Sequence, residues 1–511
     1  MTEYPADTIT TLLTRASPSA QAIGAPGRPW LTHDALRGLV ARTIADLNRM
    51  GIGRGDRVAI VLPNGPEMAA SFVAIGAGAT TAPLNPAYKA EEFDFYLSDL
   101  NAKALVIAEG MESPSRAVAE ARGIPIVELV PDAAGPAGAF GLAAPATLSG
   151  SPALPGPAEA DDIALVLHTS GTTSRPKIVP LRHINVTASA YHIGATLRLT
   201  PDDVCLNVMP LFHIHGLIAA TLSSLAAGAS VFCTPGFNAF RFFAWFQEAR
   251  PTWYTAVPTM HQAILGLAGR HEAAIKASRL RFIRSSSSSL PPQVMEALEQ
   301  AFGVPVIEAY GMTEAAHQMA SNPLPPGKRY PGSVGIAAGP EIAIMDDAGK
   351  LLPAGALGEV VIRGRNVTAG YENNPEANAK AFTNGWFRTG DQGVLDEQGY
   401  LRLTGRLKEL INRGGEKISP IEVDVVLMDH PAVAQCLTFA LPHPMLGEEV
   451  ACAVVLAEGA SAQDHELRSF AAERLAQFKV PRKFVFLNEI PKGATGKLQR
   501  IGLAEKLGLT A

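Results

Sequence analysis

The chain has 511 residues, 47% of them hydrophobic and 18% charged, which is enough apolar sequence for the cores of several domains. A formal net charge of -5 argues against a nucleic-acid-binding surface, and the apolar content argues against disorder. The four cysteines lie far apart and form no C-x-x-C pair, so we expect buried thiols in a reducing compartment rather than disulfides or a zinc site.

Helix and strand patterns alternate in the first part of the chain. Apolar spacing predicts a helix over 34–50, a strand from residue 58, helices from about residue 66 and over 91–100, and a strand from residue 104. Strands that alternate with helices of this length predict a parallel α/β sheet. Residues 131–160 are dominated by Ala, Pro and Gly, which predicts a loop or a linker between lobes.

The sequence gives no sign of a targeting or membrane segment. The first twenty residues contain early acidic residues and no apolar core of signal-peptide length. The most apolar window, 68–84, is too short to span a bilayer. We therefore expect a cytoplasmic protein with no membrane partner.

A loop rich in hydroxyl groups, LHTSGTTSRPK, follows the apolar run at 163–167. Small residues allow backbone N–H groups to approach an anion, and the hydroxyls add further donors. The loop is not the common P-loop, because it has a single Gly and Lys177 is followed by Ile178. It fits either a phosphate-binding loop or a solvated turn. The residues concerned are Thr169, Ser170, Gly171, Thr172, Thr173 and Lys177.

Strand and helix patterns resume after this loop and continue to the strand at 304–310. Beyond Pro331, short strands with Gly-rich turns indicate a β-rich subdomain. A segment dense in charge and glycine, GRLKELINRGGEKISPIE, begins at Gly405. We therefore predict an α/β protein with a large N-terminal domain of α/β lobes and the β-rich subdomain over 1–404, and a small mobile α+β domain over 405–511.

Four further segments carry polar residues at domain-scale spacings: Tyr310-Gly-Met-Thr-Glu314, Thr389-Gly-Asp391, Arg406, and Lys497 within PKGATGKLQR. Each alone is weak, since such residues usually solvate a surface. Together with TSGTTSRPK and GRLKELINRGGEKISPIE, they resemble the adenylate-forming superfamily of acyl-CoA synthetases, luciferases and nonribosomal-peptide adenylation domains. The resemblance covers essentially the whole chain. It implies that a carboxylate attacks the α-phosphate of ATP, and that a thiol then displaces AMP from the acyl-adenylate.

The resemblance also implies roles for the matching residues, with ATP, Mg²⁺ and CoA as reactants or cofactors. The phosphate loop, Ser170 to Lys177, would wrap the β- and γ-phosphates, and Thr169 and Gly311 would complete the ATP site. Tyr310 would stack on adenine, Asp391 and Arg406 would bind ribose, Thr313 would reach the α-phosphate and Glu314 would bind Mg²⁺. Lys497 would bridge carboxylate and phosphate, Lys408 would be the domain hinge, and Gly414 and Gly415 would contact the CoA arm.

The acid-binding residues implied by the same resemblance are unusually polar: His213, His215, His317 and the serine run that includes Ser286, Ser287 and Ser288. The family often has His at the position of His213, and the resemblance implies a catalytic role for this residue as well. Such a site suits a short, oxygen-rich acid, because each donor left unpaired by an alkyl chain would cost about 1–3 kcal/mol. We expect imidazolium to bind a dianion best. Alternatively, the histidines are core residues and the serines form a turn.

Residues 210–322 and INRGGEKISPIE most resemble oxalate–CoA ligases. Malonyl-CoA synthetases, the competing group, carry an Arg just before YGMTE to clamp the distal carboxylate, and this chain has Ala309 there. Oxalate is therefore the expected acid. The alternatives are another small polar or short-chain acid, a stand-alone enzyme that loads a carrier-protein thiol, or a nucleotide-binding protein without activity. The oligomeric state is open.

Overall fold

The computed structural model describes residues 4–169, 176–493 and 495–509. The chain begins with α1 (Ile9–Leu12), β1 (Gln21–Ala25), β2 (Arg28–Thr32) and α2 (His33–Arg49). The first lobe follows with β3 (Arg57–Val61), α3 (Pro66–Gly76), β4 (Thr80–Pro83), α4 (Ala90–Leu100), β5 (Ala104–Ala108), α5 (Pro114–Ala121), β6 (Ile126–Pro131), β7 (Phe140–Ala143), β8 (Ile163–His168) and β9 (Ile178–Arg182).

The first lobe is built on a sheet with the strand order β7-β6-β5-β3-β4-β8-β9. Its inner strands are parallel and nearly wholly buried, because helices cover both faces of such a sheet. The predicted helices and strands up to residue 108 are confirmed. The prediction of an unstructured loop over 131–160 is only partly right, because β7 pairs antiparallel with β6 inside this stretch. The remainder leads to β8 of the same sheet, so it does not link two lobes.

The second lobe contains α6 (His183–Thr196), β10 (Val204–Asn207), α7 (Ser223–Ala226), β11 (Ser230–Cys233), α8 (Ala239–Ala249), β12 (Trp253–Ala256), α9 (Pro258–Ala268), α10 (Glu272–Lys276), β13 (Phe282–Ser286), α11 (Pro292–Phe302), β14 (Val306–Met312), β15 (His317–Ser321) and β16 (Ile336–Ala337). Its sheet has the order β16-β15-β14-β13-β12-β10-β11-β1-β2. β1 and β2 precede the first lobe in the chain but belong to the sheet of the second lobe, where β1 pairs with β11. The local pattern does not predict this long-range pairing. A π-helical segment, His215–Leu222, follows β10.

The β-rich subdomain holds β17 (Glu341–Met345), β18 (Leu357–Arg363), α12 (Pro375–Ala381), β19 (Phe382–Thr383), β20 (Trp386–Leu395) and β21 (Leu401–Arg406). The C-terminal part contains β22 (Ile411–Arg413), β23 (Glu416–Ile418), α13 (Pro420–Met428), β24 (Val433–His443), β25 (Gly447–Leu456), α14 (Asp464–Ala472), β26 (Lys483–Phe486) and α15 (Leu503–Lys506). Its strands form a separate sheet around β24 and β25, with apolar clusters on both faces.

The predicted domain boundary, between residues 404 and 405, lies inside β21, two residues before this strand ends. This strand pairs with β20 of the subdomain, whereas β22 belongs to the C-terminal sheet. The C-terminal part contacts the second lobe through the Thr259 hydroxyl, which donates to the Gly496 carbonyl at 2.7 Å, and through Gln435, whose side-chain amide donates to Gln262 at 3.0 Å. Within the described ranges, no helix is long and apolar enough to cross a membrane.

Candidate active site

The residues predicted to bind ribose and adenine meet where β14 approaches β20 and β21. The Tyr310 hydroxyl donates to Oδ2 of Asp391 at 2.5 Å, and Nε of Arg406 donates to Oδ1 of the same carboxylate at 3.0 Å. Asp391 and Tyr310 are both buried, while the Arg406 side chain is half exposed. A carboxylate whose position is fixed by hydrogen bonds from a phenol and a guanidinium is a rigid acceptor for ribose hydroxyls.

A second polar group surrounds Glu314, which lies in the short 3₁₀ segment Thr313–Ala315 directly after β14. The Tyr371 hydroxyl donates to Oε1 of Glu314 at 2.8 Å, and the Lys177 ammonium lies 4.4 Å from the centroid of the Tyr371 ring. Burial raises the pKa of Glu314, and the Tyr371 hydrogen bond opposes that shift. Such a carboxylate can bind a metal ion, and the cation beside it can bind a phosphate that the ion contacts.

The phosphate loop is described only at its two ends. The Thr169 backbone N–H donates to the Lys177 carbonyl at 2.9 Å, and the Lys177 N–H donates to the Thr169 hydroxyl at 3.0 Å. The loop therefore closes at its base. The predicted phosphate contacts of Ser170, Gly171, Thr172 and Thr173 lie outside the described residues.

The acid pocket is the group formed by His213, His215, Ser287, His317 and Arg284. The His215 ring is fully buried, and its Nδ1 lies 3.0 Å from the Ser287 hydroxyl. The His317 ring lies 5.0 Å from the His215 ring, measured between centroids. The His213 Nδ1 accepts a hydrogen bond from the His215 backbone N–H at 3.2 Å. The predicted histidines therefore converge on one place.

His317 is held in this pocket by an unusual backbone. Its φ of 99° lies in the left-handed region that favours glycine. A Cβ added to Gly311 on the paired strand would lie 1.9 Å from the His317 carbonyl oxygen, so only glycine fits at position 311. The His317 Nδ1 atom is buried and has no hydrogen-bond partner among the described residues. An orphaned polar atom on a strained residue points to a ligand.

The electrostatics of the unliganded pocket favour neutral rings. Burial lowers the pKa of His215 and of His317 well below the ordinary value, and the positive charges of Arg284 and Lys497 lower both further. Both shifts favour the neutral imidazoles in the unliganded pocket, and the expectation that imidazolium binds the acid stays a prediction. A protonated imidazole would be costly here, because it would be buried beside the positive charges of Arg284 and Lys497.

The serine run contributes less than its length indicates. The Ser286 hydroxyl donates to the Ala309 carbonyl at 2.8 Å, and the Ser288 hydroxyl donates to the Ser287 carbonyl at 2.9 Å. Their protons therefore serve the backbone, although the predicted substrate roles of both stay predictions. Ser287 is the serine that contacts an imidazole, and its φ of 75° marks the turn that places it there.

Lys497 reaches the acid pocket from the C-terminal part. Burial lowers its pKa to about 8, with Arg406 acting in the same direction and Asp391 opposing. The charge of Lys497 in turn lowers the pKa of His213, after burial as the main cause. The Lys497 charge is thus close enough to act on both the ribose-binding carboxylate and the acid pocket, where the two substrates would meet.

The hinge and CoA residues lie elsewhere. Lys408 is exposed in the turn between β21 and β22, and Gly414 and Gly415 are exposed in the hairpin between β22 and β23. Both glycines have positive φ, 59° and 94°, which this tight hairpin requires. The structure does not bring them to the acid pocket.

Three contact residues were not predicted from the sequence. Tyr371 binds Glu314, Thr255 lies 2.6 Å from Nε2 of His215, and Arg284 lies 3.4 Å from the same nitrogen. Arg284 is fully buried on β13. The sequence could have indicated Arg284, because a charged residue is unusual inside an apolar strand pattern and this one immediately precedes the serine run.

Comparison with known proteins gives the family. Residues 14–372 match the model of the AMP-binding enzymes, and residues 422–497 match the C-terminal domain of AMP-binding enzymes. The chain belongs to the AMP-binding enzyme family. The fold and class predicted from the sequence are thereby confirmed: an adenylate-forming acid–CoA ligase of mixed α/β architecture with a separate C-terminal domain. Enzymes of this family use ATP, Mg²⁺ and CoA.

Individual relatives of this AMP-binding enzyme cover nearly its full length. It is 47% identical to the oxalate–CoA ligase of Arabidopsis thaliana over 97% of both chains. It is 44% identical to the oxalate–CoA ligase of Saccharomyces cerevisiae over 88% of this chain and 87% of that one. Among solved structures, ATP-bound MatB from Rhodopseudomonas palustris superposes with a TM-score of 0.87 at 30% identity, covering 98% of each chain.

Proposed function

We propose that the protein is an oxalate–CoA ligase that converts oxalate, ATP and CoA into oxalyl-CoA, AMP and diphosphate. The observation that carries this proposal is the acid pocket, where buried polar atoms of His317 and Arg284 have no hydrogen-bond partner among the described residues. An alkyl chain would leave the His317 nitrogen unpaired and the Arg284 charge uncompensated, whereas a short diacid would offer an oxygen to His317 and a second negative charge to offset Arg284. The full-length oxalate–CoA ligase relatives support the same acid.

Adenylation requires two anions to meet, a carboxylate and a triphosphate. In the proposed mechanism one carboxylate oxygen of the acid attacks the α-phosphorus, and the bond from that phosphorus to the bridging oxygen of diphosphate breaks. Lys497 offsets the negative charge at this point, and Thr313 contacts the α-phosphate. Glu314 would hold Mg²⁺, which it fits as a buried carboxylate beside Lys177 and Tyr371. When bound, the ion would neutralise phosphate charge.

The nucleotide-binding part of the proposal uses the predicted residues. Asp391 and Arg406 would bind ribose and Tyr310 would contact adenine, supported by their hydrogen-bonded arrangement. The phosphate loop from Thr169 to Lys177 would bind the β- and γ-phosphates.

The second half-reaction requires a different face of the C-terminal domain. In the proposal, a turn about Lys408 would bring Gly414 and Gly415 to the CoA arm, because Lys497 occupies the active site in this structure. A cytoplasmic location is part of the same proposal and is supported by four buried cysteines that form no disulfide.

A substrate panel tests the proposed function. AMP formation is measured with ATP and CoA over oxalate, malonate, acetate, a medium-chain acid and an aromatic acid. Oxalate should have the highest kcat/KM, and preference for an alkyl or aromatic acid would exclude the proposal. The same assay with a carrier-protein thiol in place of CoA distinguishes a stand-alone loading enzyme.

A further inference from the structure

Arg284 is a cation in the interior of the second lobe. Its side chain is fully buried at the centre of β13. Its contacts are all with neutral groups: His215 Nε2 at 3.4 Å, the Thr255 hydroxyl at 3.5 Å and the Gln318 side-chain oxygen at 3.4 Å. Across the described ranges, no carboxylate forms an ion pair with it, and its Nε atom is buried without a partner.

The contact with His215 fixes the proton on that ring. A guanidinium can only donate hydrogen bonds, and Nη1 of Arg284 lies 3.5 Å from the Thr255 hydroxyl oxygen, which accepts. The Thr255 hydroxyl then donates its own proton to the single lone pair of His215 Nε2 at 2.6 Å, and Nη1 of Arg284 lies 3.4 Å from the same nitrogen. The ring proton therefore lies on Nδ1 and points at the Ser287 oxygen, 3.0 Å away. The Ser287 hydroxyl proton remains free for an acceptor outside this chain of contacts.

Charge balance indicates what that acceptor is. Burial lowers the pKa of His215 and His317, which favours neutral rings that supply hydrogen bonds but no charge. Lys497 is the cation for the carboxylate that reacts. A second carboxylate on a short acid would lie beside the imidazoles, and the positive charge behind them is Arg284. A buried cation without a counter-ion is the arrangement that an anionic ligand completes.

We propose that Arg284 is a specificity-determining residue for the second carboxylate of a short dicarboxylic acid, fixing the His215 tautomer and supplying the positive charge of the pocket. Because Arg284 is buried behind His215, it is a positioning residue and acts through that ring and through its field. The inference rests on the proposed function, since it presumes that the acid carries two carboxylates.

The test compares two acids of similar size on the full-length enzyme. Oxalate carries the second charge, whereas glycolate has a hydroxyl oxygen on the second carbon and no second charge. Arg284→Met should lower kcat/KM for oxalate by about a hundredfold and that for glycolate by less than about threefold, with KM for ATP unchanged. Arg284→Lys keeps the charge and should retain oxalate activity within about tenfold of wild type.

The control is Arg116→Met, which removes a half-buried arginine paired with Glu128 in the first lobe and should change neither acid. Equal losses for oxalate and glycolate in Arg284→Met would overturn the inference, because a merely structural residue affects both. If that variant does not fold, Arg284→Lys decides: a loss of oxalate activity well beyond about tenfold, matched by an equal loss for glycolate, overturns the inference. The wild-type substrate panel, by contrast, decides the proposed function without reference to any variant.

Discussion

Two arginines of this protein, Arg284 and the largely buried Arg500, differ in what surrounds them. In the C-terminal domain, Nη2 of Arg500 lies 2.6 Å from Oδ2 of Asp424, and Glu409 lies 3.5 Å from its Nε. Burial alone would lower the pKa of Arg500, but Asp424 and Glu409 outweigh it and raise the pKa. Burial lowers the pKa of Arg284 in the acid pocket to about 9, because no carboxylate opposes it within the described part of the chain.

The difference indicates that the Arg500 charge stabilises the fold, whereas the Arg284 charge is available to a ligand. Arg500 closely follows Lys497 in the chain, so its ion pair fastens the loop that carries the lysine onto the C-terminal sheet. Arg284 has no such function in the fold, since an unpaired buried charge destabilises a protein. It is explained if the substrate provides the counter-ion.

The largest effect is expected from removing the paired arginine. Arg500→Met leaves the largely buried Asp424 carboxylate without its cation, so the free energy of unfolding of the C-terminal domain should fall by about 3–5 kcal/mol. Denaturant unfolding measures this. Arg284→Met should lose much less stability, because it leaves no buried counter-charge behind. Equal losses in the two variants would contradict the distinction between them.

Lys497 is the cation that moves with the C-terminal domain. Lys497→Ala should slow adenylation by about two to three decades, equivalent to roughly 3–4 kcal/mol, because negative charge develops at the α-phosphate. Diphosphate release measures this step. Thioester formation from presynthesised acyl-adenylate should survive, and an equal loss in both half-reactions would show that the lysine is structural.

A smaller effect is expected from the donors in front of Arg284. His317→Ala removes a donor to a charged oxygen, so KM for oxalate should rise about ten- to a hundredfold while KM for ATP stays constant. Initial-rate measurements at varied oxalate and varied ATP separate the two constants. His192→Ala is the control, because that ring contacts Tyr4 near the start of the chain. An equal rise in both constants for His317→Ala would place His317 in the core.

The smallest effect concerns pH. Because the pKa of Lys497 is lowered to about 8, the fraction carrying the positive charge falls as pH rises through that value. The kcat/KM for adenylation should therefore fall about tenfold per pH unit above that point. Lys497→Arg should remove this decline. KM for oxalate should be constant between about pH 6 and 7.5, because the imidazoles are already neutral; a change there would show that they titrate.

Much of the fold follows from local pattern. The periodic segments at α2 and α4 fold as predicted, because their apolar spacing fixes a single buried face. The pairing of β1 with β11 could not be predicted, since it joins residues far apart in sequence. The motifs also identified Tyr310, Asp391 and Arg406, which the structure brings into contact.

Arg284, one of the three contact residues that were not predicted, shows what the sequence alone does not reveal. Arg281 and Arg284 lie close together in RFIRS and look alike in the sequence. In the structure Arg281 is partly exposed and ion-paired with Asp203, whereas Arg284 is fully buried. Residue type and spacing do not reveal whether an arginine has a counter-ion, because that depends on side chains from other strands and helices.

The left-handed backbone of His317 has a consequence for the stability of the protein. Holding a non-glycine residue at a φ of 99° costs about 1–3 kcal/mol, which His317→Gly would recover as thermal stability while removing the imidazole. The same substitution would therefore raise the melting temperature and lower oxalate activity together, so the pair of measurements shows how much stability the fold gives up to hold this ring.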